Sequence, residues 1–149
     1  MEQTREQVVE TLLVSVNRLI RTALQSTGSP TSAAVWRTLG ILETDQPLRL
    51  GELARASRVA QPTMTRLVAG MLDDGLVARS VDPDDSRGQL IEITDTGRAR
   101  LAEWRAALTH TVGPLFAGLS EDDWDALERA AQIVAERTTT SATRTETTA

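Results

Sequence analysis

Between Leu50 and Thr94 the apolar residues change period in a way few folds can accommodate. The stretch reads LGELARASRVAQPTMTRLVAGMLDDGLVARSVDPDDSRGQLIEIT. Leu50, Leu53 and Ala54 share one side of a short helix pattern, and Ser57-Arg58-Val59 breaks it. Met64, Leu67, Val68, Met71 and Leu72 then follow the i, i+3, i+4, i+7, i+8 rule of a one-sided helix. Pro62 suits the first turn of that helix, where its missing N–H leaves no bond unmade, and Gly75 suits a left-handed stop. After Gly75 the period falls to two. Residues 76–81 and 89–93 read as strands, and the turn-forming Asp82-Pro83-Asp84-Asp85-Ser86-Arg87-Gly88 lies between them. Helix, turn, helix and hairpin make a winged helix-turn-helix.

The flanks read as helices. Val8, Val9, Leu12, Leu13, Val16, Leu19, Ile20, Ala23 and Leu24 give residues 4–25 a wide apolar stripe. Ser26 to Pro30 reads as a loop, with Thr31 or Ser32 capping a helix over about 32–43 that turns Ala33, Val35, Trp36, Leu39 and Leu42 inward. Leu48-Arg49-Leu50 reads as a short strand able to pair beside the hairpin. Thr94 is an N-cap for a fifth helix carrying Leu101, Trp104, Leu108 and Val112, which Gly113-Pro114 should interrupt. Ser120 and Asp123 form a capping-box pattern ahead of a last helix, 121–137, with Trp124, Leu127, Ala131 and Val134 inward. The Thr-rich segment 138–149 has little to bury and reads as a disordered tail.

Composition excludes more than it selects. The 149 residues contain no cysteine and one histidine, His110, so neither a disulfide framework nor a cysteine or multi-histidine metal site is available. No cofactor or metal is expected, and catalysis is not. No apolar run approaches the roughly 20 residues of a membrane span, and Met1 opens no signal-peptide pattern, so a cytoplasmic protein is expected. The net charge of −5 argues against a nucleic-acid partner until it is resolved along the chain. Residues 1–48 hold four arginines against five acids, 49–100 eight against eight, and 101–149 four against eight. The acidity is concentrated in the last third. All sixteen basic residues are arginine, suited to bidentate contacts with phosphates and base edges.

The pieces LGELA, QPTMTRLV, GLVAR, DPDDSR and ITDTG, in that order, resemble the MarR family of bacterial transcription regulators across about a third of the chain. The resemblance implies a mainly α fold. It would have an N-terminal dimerisation helix (1–30), a winged helix-turn-helix DNA-binding domain (31–94), C-terminal dimerisation helices (95–137) and the tail (138–149). It also implies that the apolar stripe of 4–25 meets a second subunit; the alternative is packing against the rest of the same chain. The expected protein is a homodimeric regulator of double-stranded DNA, a repressor released by a small-molecule effector, on a pseudo-palindromic operator. The alternative is a winged-helix module that binds protein and not DNA.

Placing Met64 toward the core and advancing about 100° per residue puts Pro62, Arg66, Ala69 and Asp73 on the opposite ridge, flanked by Thr63, Thr65 and Gly70. Gln61 stands at the helix start. Gln61 has the chemistry for adenine, Arg66 for guanine or phosphate, and Thr63 and Thr65 for phosphate or a thymine methyl. The alternative for these residues is an ordinary solvated face. Ala60 departs from the capping serine common in the family, which removes the cap and a phosphate contact. Asp85-Ser86-Arg87 resembles the family's wing tip, implying that Arg87 enters the minor groove while Asp85 holds its guanidinium; the alternative is a surface ion pair. Arg79 would contact the DNA backbone or brace the wing. The resemblance further implies a site for small aromatic or anionic effectors, with Trp36, Trp104 and His110 as wall and Arg37 as anion partner. The competing reading makes the tryptophans core and His110 an interface residue.

Overall fold

The structure is a computed structural model and describes residues 3–28, 31–45 and 47–144. In chain order the helices are α1 (Arg5–Thr27), α2 (Ala33–Thr44), α3 (Leu50–Ser57), α4 (Gln61–Asp73), α5 (Asp95–Val112) and α6 (Glu121–Arg144). The strands are β1 (Leu48–Arg49), β2 (Val77–Asp82) and β3 (Asp85–Ile93), and one turn of 3-10 helix spans Gly113–Phe116. The chain divides into two units, Met1–Val112 and Gly113–Ala149. No described helix is long and apolar enough to cross a membrane.

In the first unit α2, α3, α4 and the base of the hairpin enclose one core. Leu39, Leu42, Leu53, Met64 and Val68 are fully buried, with Met71, Ile91 and Leu101 nearly so. The expected recognition helix therefore rests on its Met64, Val68 and Met71 ridge, one residue per turn. Leu67 and Leu72 are only half-buried at its edges. On α2, Ala33 is exposed, contrary to the helical-face reading. Ser32 caps the helix one residue earlier, and Thr38 is buried on the inner side with its hydroxyl 3.2 Å from that of Ser57.

The short β1 pairs antiparallel with β3, Leu48 opposite Ile91, and the sheet order is β1-β3-β2. The hairpin turn is tighter than the run of turn-forming residues suggests. Asp82 lies opposite Asp85, so only Pro83 and Asp84 make the turn, and residues 86–88 bulge from β3. Asp82 is the reason. Its Oδ1 accepts the Asp84 N–H at 2.9 Å, and its Oδ2 accepts the Arg49 Nε at 2.6 Å. Bonded first to the Asp84 backbone and then to the Arg49 guanidinium, the carboxyl is held below the usual carboxylate range despite burial, and Arg49 is held above its own.

Each helix end near the sheet is fixed by backbone geometry. At the end of α4, Gly75 takes φ +70, its N–H donates to Leu72 and that of Leu76 to Met71, closing a Schellman motif over buried Met71 and Leu76. Thr94 caps α5 as expected, its Oγ1 accepting the Gly97 N–H at 3.0 Å and donating to the Gly75 carbonyl at 2.6 Å. Gly97 lies so close to this junction that an added Cβ would stand 2.1 Å from the Leu76 carbonyl oxygen.

α1 packs beside α5 and buries Ala23, but Val9, Leu13, Val16 and Ile20 form an exposed stripe at helical spacing. The helix starts at Thr4, which forms a capping box with Gln7, and it extends through Ser26 and Thr27, where the sequence reads as loop. Ser29 and Pro30 lie outside the described residues.

In the second unit, Ser120 and Asp123 make the expected capping box, with Asp123 N–H donating to Ser120 Oγ at 3.2 Å. Trp124, Leu127, Ala131 and Val134 are exposed, not inward; among them only Trp124 has an aromatic neighbour, Phe116 at 6.2 Å. α6 continues to Arg144, so a disordered tail does not begin at 138. No Gly or Pro interrupts 138–144, and the Thr138 and Thr139 hydroxyls donate back to the Val134 and Ala135 carbonyls at 2.9 Å. Residues 145–149 lie outside the described residues.

Gly97→Ala should cost roughly 3 kcal/mol, the upper end of overpacking, because the clash is with backbone; urea unfolding measures it. Asp82 has a depressed folded pKa, so its contribution is present above its unfolded value of about 3.9 and is lost as pH falls through the folded one. The stability gap between wild type and Asp82→Asn should accordingly shrink in acid below about pH 4, as read by urea unfolding at a series of pH values.

Candidate nucleic-acid interface

The turn between α3 and α4 positions the candidate site. Arg58 adopts φ 55, ψ 43, its N–H donating to Arg55 and that of Val59 to Ala54, which ends α3 in the same motif that ends α4. Arg37 reaches across from α2 and donates from Nη1 to the Ser57 carbonyl at 3.3 Å, bracing this turn. α4 begins after Ala60, which supplies no side-chain cap, and Pro62 lies in its first turn. The residues at the start of α4, Ala60 to Thr63, are exposed.

Gln61, Pro62, Thr63, Thr65, Arg66, Ala69, Gly70 and Asp73 are all exposed. The face expected from the helical wheel is the face observed. Thr65 differs in one respect: its hydroxyl donates to the Gln61 carbonyl at 2.9 Å, so it is left to offer a methyl group and an acceptor. Gln61 Oε1 lies 4.0 Å from where a Cβ on Gly51 would stand, so its amide is carried beside the start of α3. Nothing lies within 4 Å of a Cβ built on Gly70, and the helix surface there is open to a close approach.

The wing projects from the same unit. Arg79, Ser80 and Val81 are exposed in succession, so β2 loses its inside-outside alternation once past Ala78. At the tip, Asp85 does not hold the Arg87 guanidinium. Its Oδ1 instead accepts the Arg87 backbone N–H at 3.0 Å, a local turn that orients the chain and leaves the guanidinium without a bond among the described residues. The wing's ion pair is Arg49 with Asp82, thirty-three residues apart. Sequence reading misses it because Arg49, in the short strand pattern, and Asp82, in the turn-forming run, lie in separate patterns that no spacing rule joins. Arg58 is visible there only as part of a break.

The four expected effector residues do not converge. Trp36 and Trp104 stack at 4.9 Å and 14°, both with buried indole N–H groups that have no hydrogen-bond partner among the described residues. Arg37 is committed to Ser57, and His110 is exposed in the last turn of α5. A cleft of about 590 Å³ lies instead between α2, α4 and the start of α5, lined by Val35, Trp36, Arg66, Leu67, Met71 and Arg100 among others. Of the four, only Trp36 borders it. Arg100 carries no signal in the sequence beyond its charge. Among the described residues no cluster of His, Cys, Asp or Glu could hold a metal ion.

Comparison with known proteins agrees with this geometry. The model of the MarR family matches residues 32–88. An uncharacterised HTH-type transcriptional regulator of Mycobacterium bovis is 30% identical over 124 residues, 83% of this chain and 87% of that protein. The HTH-type transcriptional repressor IacR of Pseudomonas putida is 27% identical over 66% of this chain and 59% of its own length. Among solved structures, RV1404 from Mycobacterium tuberculosis superposes with a TM-score of 0.68 at 21% identity, covering 92% of this chain and 95% of that one. BpsR of Bordetella bronchiseptica, whose DNA binding is regulated by 6-hydroxynicotinic acid, gives 0.56 at 24%, covering 91% and 97%. The helix-turn-helix, its wing and these relatives along most of the length place the chain in the MarR family of transcriptional regulators.

Proposed function

We propose that the protein is a homodimeric repressor that reads duplex DNA with α4 and the wing and leaves it when a small acid enters the cleft beside α4. One observation carries the reading: Arg66 and Arg87 stand exposed on one unit with no ion pair or side-chain hydrogen bond among the described residues. Arg66 would meet a base edge or phosphate in the major groove, with Gln61, Pro62, Thr63 and Thr65 at the leading end of the helix. Arg87 would enter the minor groove and Arg79 would meet the backbone. The exposed stripe Val9, Leu13, Val16, Ile20 on α1 and the apolar face of α6 support dimerisation, since apolar faces of this extent are rarely left in water. The repressor role is supported by the likeness to IacR. A cytoplasmic, non-catalytic protein fits this reading.

For the effector, the cleft offers two guanidinium groups, Arg66 and Arg100, against one carboxylate, Asp74, with apolar walls from Val35, Leu67 and Met71. That chemistry suits a small carboxylate with a flat apolar body. Arg66 would then serve either the ligand or DNA. By linkage, whatever the ligand subtracts from DNA affinity, DNA subtracts from ligand affinity. A protein-binding winged helix is the second reading, favoured by the net charge of −5.

Selection from a random duplex pool tests the main reading. Inverted repeats bound in a salt-sensitive way are expected; no binding at low salt would favour the protein-binding alternative. Arg66→Ala should lower affinity for the selected site by roughly 1–3 kcal/mol and relax one base position, whereas Arg87→Ala should weaken binding with the dimer intact. Wild-type affinity in both variants would refute these roles. For the cleft, a panel of aromatic monocarboxylates beginning with 6-hydroxynicotinate should quench Trp36 fluorescence and release DNA. Arg100→Ala should abolish the quenching while DNA binding persists, and an unchanged response would remove Arg100 from the site.

A further inference from the structure

We infer that Arg58, in the turn between α3 and α4, contacts a DNA phosphate and is retained for that purpose at a backbone position its own side chain strains. The inference rests on the DNA-binding reading above and adds a residue to it. Arg58 is the one non-glycine residue with positive φ among the described residues. Left-handed backbone crowds the Cβ of any L-residue and suits glycine. The chain itself supplies the comparison: α4 ends in the same pair of hydrogen bonds, and there the left-handed position is Gly75.

No side-chain bond among the described residues offsets that cost. The Arg58 side chain is exposed and makes no ion pair or hydrogen bond among the described residues. The one acid of α3, Glu52, accepts the Arg49 N–H at 2.9 Å through Oε2. If charge for solubility were all that mattered, an unstrained surface position would serve as well. Position explains the choice. Arg58 lies two residues before Ala60, whose methyl can neither cap α4 nor reach a phosphate, and the outward end of α4 begins there. A long guanidinium at this point can cover the phosphate that flanks an inserted recognition helix, and do so bidentately. A residue held in a sparsely populated conformation at such an edge is where function commonly outweighs local stability.

The test uses the full chain with Arg58→Gly and Arg58→Asn, both of which tolerate left-handed backbone while removing the charge. Binding to a mixed-sequence duplex and to the selected site is measured across a salt series, with thermal unfolding alongside. Both variants should unfold at or above the wild-type Tm, with Arg58→Gly higher by about 2–4 °C. Both should bind both duplexes several-fold more weakly, and the slope of log affinity against log salt should fall by about 0.9 for each phosphate no longer neutralised. Wild-type affinity and slope in the two variants would overturn the proposal. So would a loss confined to the selected site, which would mean a base contact, or a fall in Tm for both variants, which would mean a structural role. If wild type itself binds neither duplex, the DNA-binding reading fails, a result distinct from all of these.

Discussion

The carbonyl of Leu76 is where the winged domain is tied together. It accepts the Thr94 N–H at 3.1 Å, so the entry to β2 is bonded to the exit from β3. The same oxygen leaves no room for a Cβ on Gly97, so α5 departs in contact with that crossing. One residue back, the Gly75 carbonyl accepts the Thr94 hydroxyl, and the Leu76 N–H closes the last turn of α4. Recognition helix, wing and the helix leading out of the domain are thereby fixed within a few residues of one another. The proposed interface, which would enter two grooves at once, needs its two probes held at a set separation. Here that separation is imposed by backbone hydrogen bonds and one glycine rather than by the adjustable packing of long side chains.

The arginines divide along the same line between holding the fold and facing outward. Arg49 is engaged by Asp82, Arg105 by Glu43 and Arg37 by the Ser57 carbonyl, and each of these ties distant parts of the chain. Arg58, Arg66, Arg79 and Arg87 are exposed or partly so and make no such side-chain bond among the described residues. They are distributed over the turn before α4, the face of α4, the stem of the wing and its tip. Net charge is thus a poor guide to what this surface meets. The acids outnumber the bases two to one only in residues 101–149, beyond the helix-turn-helix and its wing.

How much of this is legible in the sequence depends on range. The face of α4, the strand period of the wing, the Thr94 cap and the Ser120 capping box are local patterns, and local patterns survive in a bare sequence. Asp82 with Arg49 and Arg37 with Ser57 depend on chain segments twenty or more residues apart, so no spacing rule points to them. The wing turn escapes for the same reason: seven consecutive turn-formers do not say which two will turn, and Asp82 decides it by bonding to Asp84 and Arg49. The inward assignment of Trp124 and Leu127 fails differently. An amphipathic pattern states that a face seeks cover but not that the cover lies in the same chain.

The cleft beside α4 shows how a short-range displacement of roles can matter more than a wrong residue. Trp36 and Trp104 are both candidates for a ligand wall by sequence, yet they stack on one another, and of the two only Trp36 borders the cleft. Trp36 thus lines the cleft with its stacking partner outside the lining, and Arg66, Arg100 and Asp74 supply the charged side chains. On the proposed reading, an arginine that lines the cleft and also meets DNA would couple two ligands without any motion of the backbone. Population shift between distant conformations is one route to regulation; a shared guanidinium is a shorter one. Its strength is bounded by what Arg66 contributes to DNA binding, so a regulator built this way is released only as far as that one contact matters.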